Sequence, residues 1–570
     1  MHASENFITT ARLVPERFAA QSLRFNPSRT FLIYALALIV LVGFGFRVVQ
    51  LGAESFGEDE LNKLRAVEDY RAHGLTAANG EHPMLMKALM TASVIGAERW
   101  NATSFAAHEA SRQIPAEAAL RFPAALLGAF TSLLLFFIAR ELFGIEVGLL
   151  AAALWALDPS AIGFNRIAKE DTFFLFFFAL GNVFWLRGQT IAESTRRKFY
   201  PWAWATAACF GAMMASKYLP HFLAISTGYY HIFQRVEAAR WRMGKVRWLV
   251  FFAIMGAAFL LFNPPILLPA TWHEMSVFAG EKRVGHDSYE FIGTLYNHRM
   301  TEWLNGVPVY FYFVFMGVKL SVPVLAAFPV GLALLFRKRL GDGRFFVLFW
   351  LMLWFLPFSL MGGKFTRYFT LALPAVLIAA AIGIQFIAQH AARIFASLTK
   401  SAMLRTRACE ATALAFLIFP ALAAASAAPH YRLYTNAIGG GSSRAGSYFP
   451  QDEFYDSGTR EALAEVAKQA CEGARVATET PELSTYYAQI ANRADLIFVS
   501  LSNDVALRQL TAGDFIIAAR GRRYRSNDAR LAKLRETAEP SALIRVGDIP
   551  AIEIYALDSQ SSVAIIETRR

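Results

Sequence analysis

Asp59 and Glu60 stand a few residues beyond the first long apolar run, in a segment that continues to His82, Pro83 and Lys87 (GEDELNKLRAVEDYRAHGLTAANGEHPMLMKALM). A carboxylate pair beside low-dielectric lipid is costly to keep, so chemistry at a membrane surface is the first reading to weigh. The plainer alternative is a solvated interfacial helix whose acids favour the helix dipole. A second charged turn, with Arg166, Lys169, Glu170 and Asp171, opens the intensely apolar run in FNRIAKEDTFFLFFFAL. Taken alone, that turn reads as snorkelling cations plus an N-cap. Lys217, in GAMMASKYLP, reads by itself as an interfacial anchor. In MGGKFTRYF, Gly362 and Gly363 allow close backbone approach, Lys364 and Arg367 offer cations to an anion, and Tyr368 offers a hydrogen bond. Carboxylates able to take a proton and cations able to hold a phosphate suit group transfer from a lipid phosphate.

The elements that position these turns are membrane helices. The chain has 570 residues, of which 55% are hydrophobic and only 18% charged, too apolar for a water-soluble protein of this length. Runs of roughly 17–25 apolar residues, enough to cross a bilayer, recur from residue 31 to about 428. They predict an all-α polytopic membrane protein with about eleven crossings, near 31–51, 119–139, 147–164, 171–187, 201–215, 217–234, 248–268, 309–336, 345–361, 367–388 and 408–428. The stretch 84–100 is short and carries Lys87, so it is expected as an interfacial helix.

The net charge of +12 could suggest nucleic acid, but Lys and Arg concentrate in alternate loops, the positive-inside pattern. With a cytoplasmic N-terminus, the basic loops around Arg140, Arg187 with Arg196 to Lys198, Arg235 to Arg247, Arg337 to Arg344, and Arg393 to Arg407 all fall inside. The loop 52–118, the Arg166 to Asp171 turn, Lys217, the loop 269–306, the Lys364 to Arg367 turn and the tail then share the non-cytoplasmic face.

Three parts are expected: a basic cytoplasmic N-terminus at 1–30, a transmembrane catalytic region at 31–429 that includes the loop 52–118, and an extracytoplasmic α/β domain at 430–570. The apolar run after the N-terminal arginines lacks a small-x-small cleavage site and reads as an uncleaved signal anchor. In the tail, EALAEVAKQA and LSTYYAQIA pattern as helices, and ARVATET, ADLIFVS, DFIIAAR and AIEIYALD as strands. It contains no nucleophile motif, metal spacing or phosphate loop, so binding or packing is expected of it rather than catalysis. Three cysteines build no disulfide framework.

The ordered set of turns resembles the GT-C membrane glycosyltransferases, in particular the protein O-mannosyltransferases and the lipid A aminoarabinose transferases. The residues that carry the likeness are Asp59 and Glu60 after the first span, HPMLMK (His82 to Lys87), NRIAKED (Asn165 to Asp171), ASKYLP (Ala215 to Pro220) and KFTRYF (Lys364 to Phe369). Met84 stands where that family has a second proline. The tail does not look like the β-trefoil insert of eukaryotic protein mannosyltransferases.

The resemblance implies an inverting transfer of one sugar from a polyprenyl-phosphate carrier to an acceptor hydroxyl, of a protein or of a lipid or glycan, outside the cytoplasm. Asp59 would take the acceptor proton, its apolar surroundings raising its proton affinity. Glu60 would orient that base or the acceptor. Arg166, Lys217, Lys364 and Arg367, with Tyr368, would stabilise the leaving phosphate, Lys87 would reach it from the His82 segment, and Asp171 would hold Arg166 or contact the sugar. No cofactor is required by this reading. A divalent metal stays open, since some relatives use one, and His286 with Asp287 is the adjacent pair to test, although an ordinary loop pair is the simpler account.

Two other classes compete. A transporter or flippase of a lipid-linked sugar would carry charges near span centres and pseudo-repeated halves. A non-catalytic assembly subunit would tolerate loss of Asp59. The oligosaccharyltransferase branch is disfavoured because no Trp-Trp-Asp-Tyr-Gly sequence occurs. Composition points to a bacterial inner membrane.

Overall fold

The computed structural model describes residues 27–195, 199–230, 243–281, 286–300, 302–399 and 402–559. Nearly all of the basic N-terminal segment and several loop cations, Arg196 to Lys198 and Arg235 to Arg242 among them, lie outside the described residues.

Helices dominate up to residue 427. Among the described residues, seven helices are long and apolar enough to cross a membrane, and the bent pair Ile145–Leu157 and Pro159–Asn165, folded by 61°, makes an eighth if taken as one span. The remaining expected crossings are helical but interrupted. The run at 309–336 divides into Phe311–Lys319 and Val322–Leu335, because the extended Leu320 and Ser321 end one helix and Pro323 stands in the first turn of the next. Near 217–230, Pro220 opens a short 3-10 turn and only Leu223–Gly228 continues as α-helix. The 15-residue helix Tyr200–Met214 precedes it. Met84–Asn101 forms the expected separate helix.

Burial sorts the spans into centre and rim. Leu373–Phe395 and Ala110–Phe143 are 72% and 67% buried over their apolar windows, whereas Lys245–Phe262, Arg29–Val48 and Thr406–Ala427 are 6%, 11% and 11% buried. The rim helices face outward with apolar side chains, as expected where the solvent is lipid. At the centre, a Cβ added to Gly331 would lie 1.7 Å from the Ala379 carbonyl oxygen and one on Gly383 would lie 2.1 Å from that of Ala327. Val322–Leu335 and Leu373–Thr399 thus pack backbone against backbone, a contact open only to residues without a side chain.

Polar side chains fasten the helix ends. Arg47 is fully buried and donates to Asn165 Oδ1 at 3.0 Å and to the Trp155 carbonyl at 3.0 Å, clamping the first span onto the bent pair. The loop after that span is held by Glu60, whose carboxylate accepts from Arg121 Nε at 2.8 Å and Nη2 at 2.6 Å and from the backbone N–H groups of Gly57 and Ala168 at 2.8 Å each. These bonds set the start of the helix Glu58–His73, which carries Asp59 near its N-terminus.

The tail contains a five-stranded mixed sheet built from β3 (Arg475–Thr478), β4 (Ile497–Ser500), β5 (Phe515–Ala519), β6 (Ala542–Val546) and β7 (Ile549–Ala556) in the order β4-β3-β5-β7-β6. The β3 strand pairs parallel to β4 and β5, while β7 runs antiparallel to β5 and β6. Helices Thr459–Gln469, Pro481–Ile490 and Asp528–Thr537 accompany it, and a hairpin of β1 (Ser288–Phe291) and β2 (Thr294–Asn297) precedes it in the loop after residue 269. The tail is anchored to the loop after the first span. Ser55 Oγ donates to the Asp456 carbonyl at 2.7 Å, Tyr487 Oη accepts from Phe56 N at 2.6 Å, and Arg460 donates to the Ala53 carbonyl at 2.9 Å.

A buried ion pair makes the second anchor. Lys319, at the broken span, pairs with Glu453 and donates to the carbonyls of Arg432 at 3.0 Å and Tyr434 at 2.7 Å. Removing one partner strands the other charge in a dry interior, at a cost of roughly 3–5 kcal/mol, whereas replacing both with apolar groups is close to neutral. Lys319→Met is therefore expected to lower the unfolding temperature clearly, and Lys319→Met with Glu453→Leu to recover most of the loss, as followed by tryptophan fluorescence during heating.

Candidate active site

The turns separated by hundreds of residues meet around one cavity of about 400 Å³. Asp59, His82, Lys217, Arg367 and Tyr368 line it, together with Lys169 and Glu170. Asp59 ion-pairs with Lys169, and Arg367 comes within 3.8 Å of the same carboxylate. Its side chain is 42% exposed, and that exposure opens into the cavity. Lys217 pairs with Asp171 at 2.6 Å and lies 4.7 Å above the Tyr368 ring. His82 stands 3.4 Å from Glu170, which pairs with Lys63 at 2.9 Å.

Arg367 has a particular chemical capacity. It stacks over Phe365 at 3.8 Å and approaches Asp452 at 3.6 Å, but its donors make no hydrogen bond among the described residues. A planar guanidinium at a cavity wall, surrounded by carboxylates beyond hydrogen-bond range, is ready to receive an anion with its full fork.

The protonation states follow from the same geometry. Burial pushes the Asp59 carboxyl upward, but Lys169, Lys63 and Arg367 outweigh it and hold the group well below the usual carboxylate range. The expectation that apolar surroundings raise its proton affinity is overturned, because the environment of Asp59 is cationic rather than apolar. Burial also draws the Lys169 ammonium down to about 8, against the attraction of Asp59. Both are charged at neutral pH. His82 is held well below its ordinary value by burial, opposed by Glu170.

The other expected residues are spent elsewhere. Glu60 is wholly buried with its oxygens filled by Arg121 and two backbone amides, so it is closed to an acceptor. Arg166 donates to the carbonyls of Phe46, Arg47, Val49 and Gln50 at 2.7–3.2 Å, capping the end of the first span rather than facing the cavity. Asp171 consequently holds Lys217, not Arg166. Lys87 donates to the Ala78 and Asn79 carbonyls at 2.9 and 2.7 Å, and burial lowers it to about 7. Lys364 donates to the Val307 carbonyl at 2.7 Å and to that of Met361, away from the cavity lining. His286 lines the cavity but faces Arg522 at 2.8 Å and stacks on Tyr524, while Asp287 accepts from Ser526 N at 2.9 Å. Among the described residues, no group of three or more His, Cys, Asp or Glu side chains is arranged to hold a metal ion.

Sequence reasoning passed over several lining or supporting groups. Lys63 lies four residues after Asp59 on one helix face, pairs with Glu170 and adds to the positive field on the Asp59 carboxylate. The tail supplies Gln451, Asp452, Tyr455, Asp456 and Arg522 to the wall. Asp452 accepts from Tyr289 Oη at 2.6 Å and from Thr366 N at 2.7 Å, and Asp456 is gripped by Arg522, which also reaches Glu58 at 3.0 Å.

Residues 114–268 match the family model described as dolichyl-phosphate-mannose-protein mannosyltransferase, a stretch that includes the Arg166 to Asp171 turn and Lys217. No curated protein matches the chain by sequence. Among solved structures, the oligosaccharyltransferase of Archaeoglobus fulgidus tethered with an acceptor peptide is 12% identical over 92% of this chain and 75% of its own, with a TM-score of 0.51. The ArnT protein of Cupriavidus metallidurans bound to undecaprenyl phosphate is 14% identical over 95% and 100%, with a TM-score of 0.48. The Pmt1–Pmt2 protein O-mannosyltransferase complex of S. cerevisiae bound to the sugar donor is 18% identical over 51% and 40%, with a TM-score of 0.31. The family model thus matches residues 114–268 alone, and the likeness to the A. fulgidus structure shows a shared fold.

Deprotonation of Lys169 removes a cation from the wall and leaves Asp59 less compensated. Affinity of the cavity for an oxyanion such as sulfate is accordingly expected to fall by roughly tenfold as pH rises through about 8. Lys169→Arg, which stays charged, is expected to flatten that limb, as read by titrating sulfate against the purified protein.

Proposed function

We propose that the chain transfers a single sugar from a polyprenyl-phosphate carrier to an acceptor hydroxyl, with inversion, on the non-cytoplasmic face of a bacterial inner membrane. The observation that carries this reading is the placement of the Asp59 carboxylate, half open to the cavity, beside the cations Lys169, Lys217 and Arg367 on the same wall. The dolichyl-phosphate-mannose donor in the name of the matching family supports a polyprenyl-phosphate sugar here. The side of the membrane is argued from the concentration of basic loops opposite these turns. In this reading residues 31–429 form the catalytic bundle and 430–570 an extracytoplasmic domain that closes over it.

In the reaction, the acceptor oxygen attacks the anomeric carbon from the face opposite the phosphate. The bond from that carbon to the phosphate oxygen breaks, the oxygen keeps the electron pair, and the acceptor proton passes to Asp59. Arg367 and Lys217 meet the charge that grows on the departing lipid phosphate, and Tyr368 donates to it. Asp59 alone, under three cations, is a weak base. A bound phosphate draws on the same cations, lessening their hold on Asp59 and raising its affinity for the proton just where the acceptor must lose one. The acceptor is a hydroxyl of a protein or of a lipid or glycan.

Asp59→Asn keeps the shape and removes the base. With radiolabelled dolichyl-phosphate-mannose and other polyprenyl-phosphate sugars as donors, the native chain should transfer sugar and the variant should lose roughly 10²–10⁴-fold in kcat, with little change in donor KM. Transfer at the native rate by Asp59→Asn would remove this residue from its role.

A further inference from the structure

The wall contributed by the tail holds two polar atoms that nothing in the protein satisfies. Among the described residues, Tyr455 Oη and Gln451 Oε1 are buried and have no hydrogen-bond partner, yet both residues line the cavity that contains Asp59 and Arg367. Tyr455 is only 9% exposed. A buried polar group without a partner is costly, and native proteins retain such groups chiefly where something else completes the bond.

The backbone at this point is also unusual. Tyr455 and Asp456 both adopt left-handed conformations, with φ of 48° and 62°, in a chain whose side chains disfavour that region. Residues held this way gather at functional sites, where the surroundings over-determine them. The surroundings here are Arg522, gripping Asp456 through both carboxylate oxygens, and Arg432, 5.3 Å from the centre of the Tyr455 ring. On its other side the ring presses on Gly57, where an added Cβ would lie 2.4 Å from Tyr455 Cε1. The phenol is therefore pinned beside the first turn of the helix that presents Asp59.

Building on the function proposed above, we propose that Tyr455 and Gln451 form a hydroxyl-recognition subsite for the sugar being transferred. The phenol donates to one sugar oxygen or accepts from it, the amide oxygen accepts from a second hydroxyl, and the cation cradle holds the phosphate. A sugar hydroxyl both donates and accepts, which fits a phenol beside a carbonyl oxygen. The tail, expected from sequence to bind or pack, thus reads the sugar directly while the membrane bundle reads the phosphate.

The test compares binding of dolichyl-phosphate-mannose with binding of sugar-free dolichyl phosphate, without acceptor, to the full-length protein and to Tyr455→Phe and Gln451→Met. The native chain should prefer the mannosylated lipid. Each variant should lose about tenfold in affinity for it, the size of one good hydrogen bond, and bind the sugar-free lipid as before. Since Tyr455→Phe deletes an unpartnered hydroxyl, its unfolding temperature should not fall. Retained sugar preference in both variants, or an equal loss for both lipids, would each overturn the subsite while leaving the proposed transfer standing. A native chain that binds neither lipid would overturn both.

Discussion

The arrangement depends on one electrostatic constraint: Asp59 is the carboxylate through which Lys169 and Arg367 are brought to the same point. Charges removed from water must be compensated, and here the compensation is incomplete by design of distance, with Lys169 in contact and Arg367 at 3.8 Å. The cluster brings three separate segments together and is open enough to admit a further anion. A tighter pairing would leave no donor for a substrate, and a looser one would leave cations repelling one another in a cavity of low dielectric.

Around that cluster, the remaining buried charges serve as joinery. Glu60 with Arg121 fixes the loop that starts the Asp59 helix, Arg166 caps the first span, and Lys319 with Glu453 joins the bundle to the tail. Each cation is satisfied by carboxylates or carbonyls, and each carboxylate by cations or backbone amides, so none has anything left to offer a ligand. The division between joinery and chemistry is thus a division between donors already spent and donors still open. Arg367 falls in the second group, and the tail completes the cavity by adding Asp452, Tyr455 and Arg522 to its wall.

Much of this was legible in the sequence for a simple reason: charge in an apolar chain is conspicuous. Asp59, His82, Lys217, Arg367 and Tyr368 were marked by residue type at span boundaries, and all five line one cavity. The same signal also marked Glu60, Lys87, Arg166 and Lys364, since a charge that caps a helix or holds a carbonyl looks identical in sequence to one that binds a ligand. The spans were found by hydropathy, but breaks at Lys319 and Pro220 shortened some of them, because apolar composition persists through a helix break. In the tail, β3, β4, β5 and β7 and two helices follow their patterns, while β6 and the short hairpin of β1 and β2 are too brief or too mixed to stand out. Its share of the cavity was hidden, since Gln451 to Asp456 form no motif and matter only through docking.

The most direct measurement of the central claim is an experimental structure of the protein with dolichyl phosphate bound. The account predicts phosphate oxygens within about 3 Å of Arg367 and Lys217, in the cavity that also contains Asp59. A phosphate seated away from these cations, with the cavity closed to it, would contradict the account.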